Sequence, residues 1–214
     1  MNFDRVAKPY RWLETFVFGG QLQAARCAFV RQIPERKYAL VVGEGDGRFL
    51  EELRRVQPDL RVDCLDMSAK MLALARDRVG DDKVEFIEAD LREATLPKAR
   101  YDLIVTHFFL DCFDAIELRK VVNKVAAAAA DDAIWLIADF QEPARGWRRW
   151  WGRFLIATMY LFFRLVAGLK ARCLIDYAPL LRERGFCLTN EIVAPNEMIS
   201  SQKWERPARR PDRS

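Results

Sequence analysis

Gly43, Gly45 and Gly47 alternate directly behind the apolar run Ala39–Val42, and a helical pattern opens at once at Arg48. Glycine tolerates the positive φ of a tight strand-to-helix turn, and its missing side chain lets a ligand approach bare amides at a helix start. Two carboxylates follow at comparable places: Asp66 behind Val62–Leu65, and Asp90 behind Val84–Glu88 and Ala89. Lying about twenty residues beyond the glycines, Asp66 is spaced to accept hydrogen bonds from both hydroxyls of a ribose. The strict alternation does not fit the G-x-G-x-x-G spacing of a pyrophosphate-binding turn, so a nucleoside without a pyrophosphate is the better match. Further on, Tyr101–Phe113 holds the chain's single histidine, His107, and a carboxylate, Asp111. Either could take a proton from an acceptor near neutral pH, with helix capping the rival role for Asp111.

The elements that must hold these residues follow from periodicity. Strand patterns at about 38–43, 60–65, 83–88, 101–106 and 133–139 alternate with helical patterns at about 46–56, 68–79 and 114–130. That alternation predicts an α/β single-domain Rossmann-like doubly wound sheet, mostly parallel with right-handed crossovers. A helix over Asp176–Gly185 and strands over Phe186–Val193 and Met198–Trp204 predict an antiparallel hairpin that closes it. Residues 1–33 read as N-terminal helices interrupted at Gly19-Gly20. The predicted domain spans 1–205: a helical lid at 1–33, a ligand-binding core at 36–140, a helical insert at 143–172, and the closing helix and hairpin at 173–205. Residues 206–214 read as a disordered basic tail.

The glycine turn, the segment Val62-Asp63-Cys64-Leu65-Asp66-Met67-Ser68 and the helical run Met71–Arg78 together resemble the class I S-adenosylmethionine-dependent methyltransferase family, small-molecule branch. The resemblance is strong over about residues 36–140 and architectural in the flanks. It implies S-adenosyl-L-methionine as cofactor, with Gly43, Gly45 and Gly47 under its methionine and ribose parts and Asp66 on the ribose. It also implies that Asp90 accepts from the adenine amino group, that Met67 and Leu91 flank the ring, and that Thr106 lies on the cofactor side. One departure stands out: the family's acid two residues before the first glycine is Val41 here, and Glu44 or Asp46 could substitute from within the loop. Asp63, further back in its strand, reads as solvated.

Implied activity is transfer of a methyl group to oxygen, nitrogen or carbon of a small lipophilic acceptor. His107 and Asp111 are the catalytic expectations, and alternation places Thr106 and Phe108 opposite His107 and Phe109. Expected acceptor contacts are Tyr10, Trp12, Phe108, Trp147 and Tyr160. Two alternatives stay open. Apolar strand plus G-x-G-D-G also resembles aminopropyltransferases, whose acidic motif after the fourth strand is lacking here, and an inactive membrane-peripheral or assembly protein could retain the nucleoside pocket.

Composition narrows the rest. With 214 residues and 51% hydrophobic content, one substantial core needs neither metal nor disulfide, and five dispersed cysteines without a C-x-x-C pair suggest neither. No metal site is expected. The first residues lead into no signal-like apolar run, so a cytoplasmic location is expected. The net charge of +4 is uneven: residues 143–172 hold seven Lys or Arg and no acid. Arg149, Arg153 and Arg164 share a stripe opposite Trp147, Trp150, Trp151 and Phe154, predicting a basic amphipathic segment at 145–170. It is too short in uncharged residues to span a bilayer, but suits a lid or peripheral contact with anionic lipid. With no Asn/Asp-Pro-Pro-Tyr signature after the fourth strand, nucleic acid is a poor substrate guess. The oligomeric state is left open.

Overall fold

The computed structural model describes residues 20–141, 174–195 and 197–207. Its frame is a seven-stranded sheet of order β3-β2-β1-β4-β5-β7-β6. The strands are β1 (Tyr38–Val42), β2 (Arg61–Asp66), β3 (Val84–Glu88), β4 (Tyr101–His107), β5 (Ala129–Phe140), β6 (Cys187–Val193) and β7 (Ile199–Glu205). β1 to β5 pair in parallel, and β7 runs antiparallel to both β5 and β6. The predicted doubly wound sheet with its closing hairpin is thus present, and all parallel strands end on one edge.

The helices are α1 (Gln21–Cys27), α2 (Arg48–Val56), α3 (Ala69–Val79), α4 (Ala115–Ala128) and α5 (Ala178–Glu183), with single-turn 3-10 helices at Val30–Gln32 and Leu110–Cys112. Strand alternation divides the core between the two sheet faces. Ala39, Val41, Leu103, Val105, Ile134 and Leu136 pack with Phe49, Leu50 and Leu53 of α2, while Leu40, Ile104, Trp135 and Ile137 pack with Leu118, Val121, Val122 and Val125 of α4. Local sequence sets the boundaries: Ser68 Oγ accepts from Met71 N to start α3, and Asp114 Oδ1 accepts from Ile116 N and Glu117 N to start α4.

Three expectations need correcting. β5 begins at Ala129 rather than near 133, because α4 ends within the alanine run at Ala128. Asp63 is buried, not solvated, since Tyr101 Oη donates to its Oδ2 at 2.6 Å. Arg206, expected in the tail, is docked: its backbone N–H reaches Ala133 O at 2.9 Å and its guanidinium donates to Ala126 O and Ala129 O over the Phe186 ring. The N-terminal lid up to residue 19 and the insert from 142 to 173, including Tyr10, Trp12, Trp147 and Tyr160, lie outside the described residues. Among the described residues no helix is long and apolar enough to cross a membrane.

Candidate functional site

The three glycines have φ of 69°, 75° and 82°, and a Cβ would meet something different at each. At Gly43 it would stand 2.8 Å from Phe109 Cδ2, and at Gly47 2.7 Å from the Ala75 backbone Cα. These two glycines let β4's exit and α3 close onto the loop. At Gly45 a Cβ would meet nothing within 4 Å, so this bend faces open space. Asp66 stands beside that opening: its Oδ2 accepts from Gly45 N at 3.4 Å and its Oδ1 from Ser68 N at 2.9 Å. The loop is tied below by Gly43 N donating to Leu65 O at 2.9 Å. Half-buried Met67 follows on the same edge.

The loop's own acids face elsewhere. Glu44 Oε1 accepts from Leu50 N at 2.9 Å, taking up an amide that the first turn of α2 cannot satisfy. Burial pushes the Glu44 carboxyl up to about 7, against the lowering effect of the Leu50 and Phe49 amides. Asp46 is paired with Arg48 at 3.0 Å, and Arg78 Nε donates to the Asp46 carbonyl at 2.9 Å. Neither side chain replaces the acid missing at Val41, and Val41 itself is core.

Asp90 emerges beyond β3 as expected, but it is clamped. Arg92 Nε lies 3.0 Å from both carboxyl oxygens and Nη1 reaches Glu117 Oε1 at 3.2 Å; the side-chain hydrogen bond from Arg92 holds the Asp90 carboxyl below its ordinary range. Lys124 Nζ fixes the same loop by donating to the carbonyls of Leu91, Arg92 and Ala94. Leu91, 2% exposed, belongs to the α4-side core instead of flanking a ring. Thr106 is likewise corrected: fully buried, its Oγ1 accepts from Trp135 Nε1 at 2.9 Å on the α4 face.

His107 points to the other face, where its ring meets Phe49 edge-on at 4.6 Å. Burial, assisted by Arg26, lowers its pKa to about 3, and Nδ1 has no hydrogen-bond partner. A neutral imidazole of that basicity is a poor proton acceptor at neutral pH, which opposes the expected catalytic role. Phe108, at φ 52°, lies against Phe140 at 5.0 Å and under the Arg26 guanidinium at 5.2 Å. Phe109 contacts Phe113 at 5.1 Å. These rings line the sheet edge where open α/β folds bind ligands.

Asp111 is half-buried in the 3-10 turn after β4, and burial raises its carboxyl to about 6. It is adjacent to Asp139 near the end of β5, a residue that periodicity alone marks only as the end of an apolar strand. Asp139 is 1% exposed, and burial together with Asp111's charge pushes its carboxyl well up. Arg26, Phe109 and Asp139 are the site residues that sequence reasoning did not single out. For Asp139 the available signal was an acid closing the otherwise apolar run Ile134–Ala138.

Comparison with known proteins agrees with this geometry. A family model described as a methyltransferase domain matches residues 39–132. The malonyl-[acyl-carrier protein] O-methyltransferase of Acetivibrio thermocellus is 32% identical over 101 residues, 47% of this chain and 35% of that protein. The demethylmenaquinone methyltransferase of Thermotoga maritima is 34% identical over 110 residues, 50% of this chain and 46% of that protein. The chain therefore spans less than half the length of these curated relatives. In fold it is similar to the N-methyltransferase NodS from Bradyrhizobium japonicum WM9, solved with S-adenosyl-L-homocysteine: TM-score 0.61, 14% identity, covering 87% of this chain and 84% of that one.

Proposed function

We propose that the chain transfers a methyl group from S-adenosyl-L-methionine to oxygen, nitrogen or carbon of a small lipophilic acceptor, as a class I S-adenosylmethionine-dependent methyltransferase; the match of residues 39–132 to a family model described as a methyltransferase domain supports this. The observation that carries this reading is the open side of Gly45 with the Asp66 carboxylate beside it. The residues fit the cofactor there: Asp66 offers carboxylate oxygens to a diol, Gly45 leaves space, and Met67 supplies an apolar flank. When bound, the cofactor supplies a sulfonium-activated methyl group.

The chain's own contribution is alignment and exclusion of water, the dominant needs of an in-line displacement. The loop is closely packed at Gly43 and Gly47, where Phe109 and Ala75 stand within 3 Å of where a Cβ would be. Phe108, Phe109 and Phe140 at the carboxyl edge support an acceptor with apolar surface. Asp111 is the proton-handling group this reading favours, since burial raises its carboxyl above the usual carboxylate range, whereas His107 is too weak a base. Contact of the basic, aromatic segment 145–170 with anionic lipid belongs to the same proposal and rests on its sequence alone.

Calorimetric titration with S-adenosyl-L-homocysteine tests the reading. Binding by the native chain, weakened at least about tenfold in Asp66→Ala, is expected; no binding by the native chain ends the proposal. Liposome flotation tests the lipid contact, which requires capture by anionic but not by neutral vesicles.

A further inference from the structure

A ligand lying along the carboxyl edge of the sheet meets the chain in strand order. That order runs β3-β2-β1-β4. Asp90 behind β3, Asp66 at the end of β2, the glycine loop behind β1 and the Phe108–Asp111 segment behind β4 therefore follow one another across the edge. Ala89 N donates to Asp66 O at 3.0 Å, which sets the Asp90 turn directly beside the carboxylate offered to the ribose. With the ribose at Asp66 and the reacting end toward β4, the base comes to lie over the turn behind β3.

What a base meets there is decided by Arg92. A carboxylate has about four acceptor positions. At Asp90, Oδ1 accepts from Arg92 N at 2.9 Å and Arg92 Nε at 3.0 Å, and Oδ2 accepts from the same Nε at 3.0 Å and from Nη2. One residue thus fills the acid's positions from two places along the chain. The guanidinium is braced in turn, since its Nη1 donates to Glu117 Oε1 on α4 at 3.2 Å. Lys124, also on α4, ties down the loop itself through the carbonyls of Leu91, Arg92 and Ala94. A neutral amino group seeking a place on Asp90 would have to displace a cation held at both ends.

The donors of Arg92 are not exhausted by these contacts. A guanidinium carries five N–H groups, and Asp90 and Glu117 engage the one on Nε, one on Nη2 and one on Nη1. The remaining two have no acceptor among the described residues, and the side chain is 27% exposed. A ligand over this turn meets a group that donates only, with its acid already matched.

We propose that Arg92 sets the base selectivity of the cofactor site: it withdraws Asp90 from the purine amino group and presents donors to the ring's acceptors, so that a 6-oxo purine nucleoside is taken as readily as a 6-amino one. This rests on the methyl-transfer reading above. Adenine shows an acceptor at N7 and a donating amino group at position 6, whereas hypoxanthine shows two acceptors, N7 and the 6-oxygen. Guanidinium donors use N7 of either base and the oxygen of the second, and gain nothing from the amino group.

The test is calorimetric titration of the full chain near neutral pH with S-adenosyl-L-homocysteine and with S-inosyl-L-homocysteine, which differ at the 6-position of the purine. The native chain should bind the inosyl ligand within about threefold of the adenosyl ligand, or more tightly. Arg92→Met removes the donors and releases Asp90, so the ratio should turn toward the adenosyl ligand by about tenfold or more. A native preference for the adenosyl ligand of more than about threefold overturns the proposal. So does an unchanged ratio in Arg92→Met, because a clamp with a merely structural role would weaken both ligands alike. The native comparison needs no variant and decides the matter even where Arg92→Met fails to fold. These outcomes leave the methyl-transfer reading intact; failure of the native chain to bind either ligand overturns that reading, and this inference with it.

Discussion

The loop behind β1 and the edge behind β4 and β5 both carry acids, but they use them in opposite ways. At the loop, Glu44 is spent on the Leu50 amide and Asp46 on Arg48, so the fold consumes the acids and presents backbone. Across the sheet edge, Asp111 and Asp139 lie side by side, and burial pushes both carboxyls up. The first region has its acids tied into the fold; the second keeps two neighbouring carboxyls at the sheet edge where open α/β folds bind ligands. Affinity for a common cofactor fits a preformed cradle.

That contrast predicts effects of different size. The largest is at the finished loop: Gly47→Ala forces a Cβ to within 2.7 Å of the Ala75 backbone at a φ of 82°, and should cost about 3 kcal/mol or more in chemical denaturation. Next is Glu44. Its folded-state carboxyl is raised from 4.5 to about 7, so the folded state binds its proton more tightly than the unfolded chain. The stability this gives is fully present below pH 4.5 and is lost as pH rises to about 7, a change of about 3 kcal/mol. Glu44→Gln should flatten the stability profile across that window. A smaller loss, about 1–2 kcal/mol, is expected for Thr106→Val, which leaves the buried Trp135 Nε1 without its acceptor, while cofactor affinity stays unchanged. The smallest effect is on turnover of His107→Gln, expected within about threefold of native; a collapse of kcat would restore the histidine as a base.

Much of the frame was legible in the sequence because β1, β2 and β5 contain apolar runs that close at a glycine or an acid. β1 ends at Val42 directly before Gly43, β2 includes Asp66, and both elements lie within two residues of their expected ends. Periodicity also separated Thr106 from His107, but it could not say which face belonged to α4. That assignment depends on the packing of Trp135, twenty-nine residues away in sequence. Likewise the fates of Glu44 and Asp90 are decided by the Leu50 amide and by Arg92, whose geometry spacing alone does not reveal. Asp139 was hidden for the same reason: its significance lies in Asp111, brought beside it only when β5 pairs with β4.

The most direct measurement is a calorimetric comparison of S-adenosyl-L-methionine, its demethylated product and its decarboxylated analogue on the native chain and on Asp66→Ala. The account predicts binding of the first two, preference for them over the decarboxylated analogue, and a loss of about tenfold or more in the variant. Absence of binding, or affinity indifferent to the Asp66 carboxylate, would contradict it.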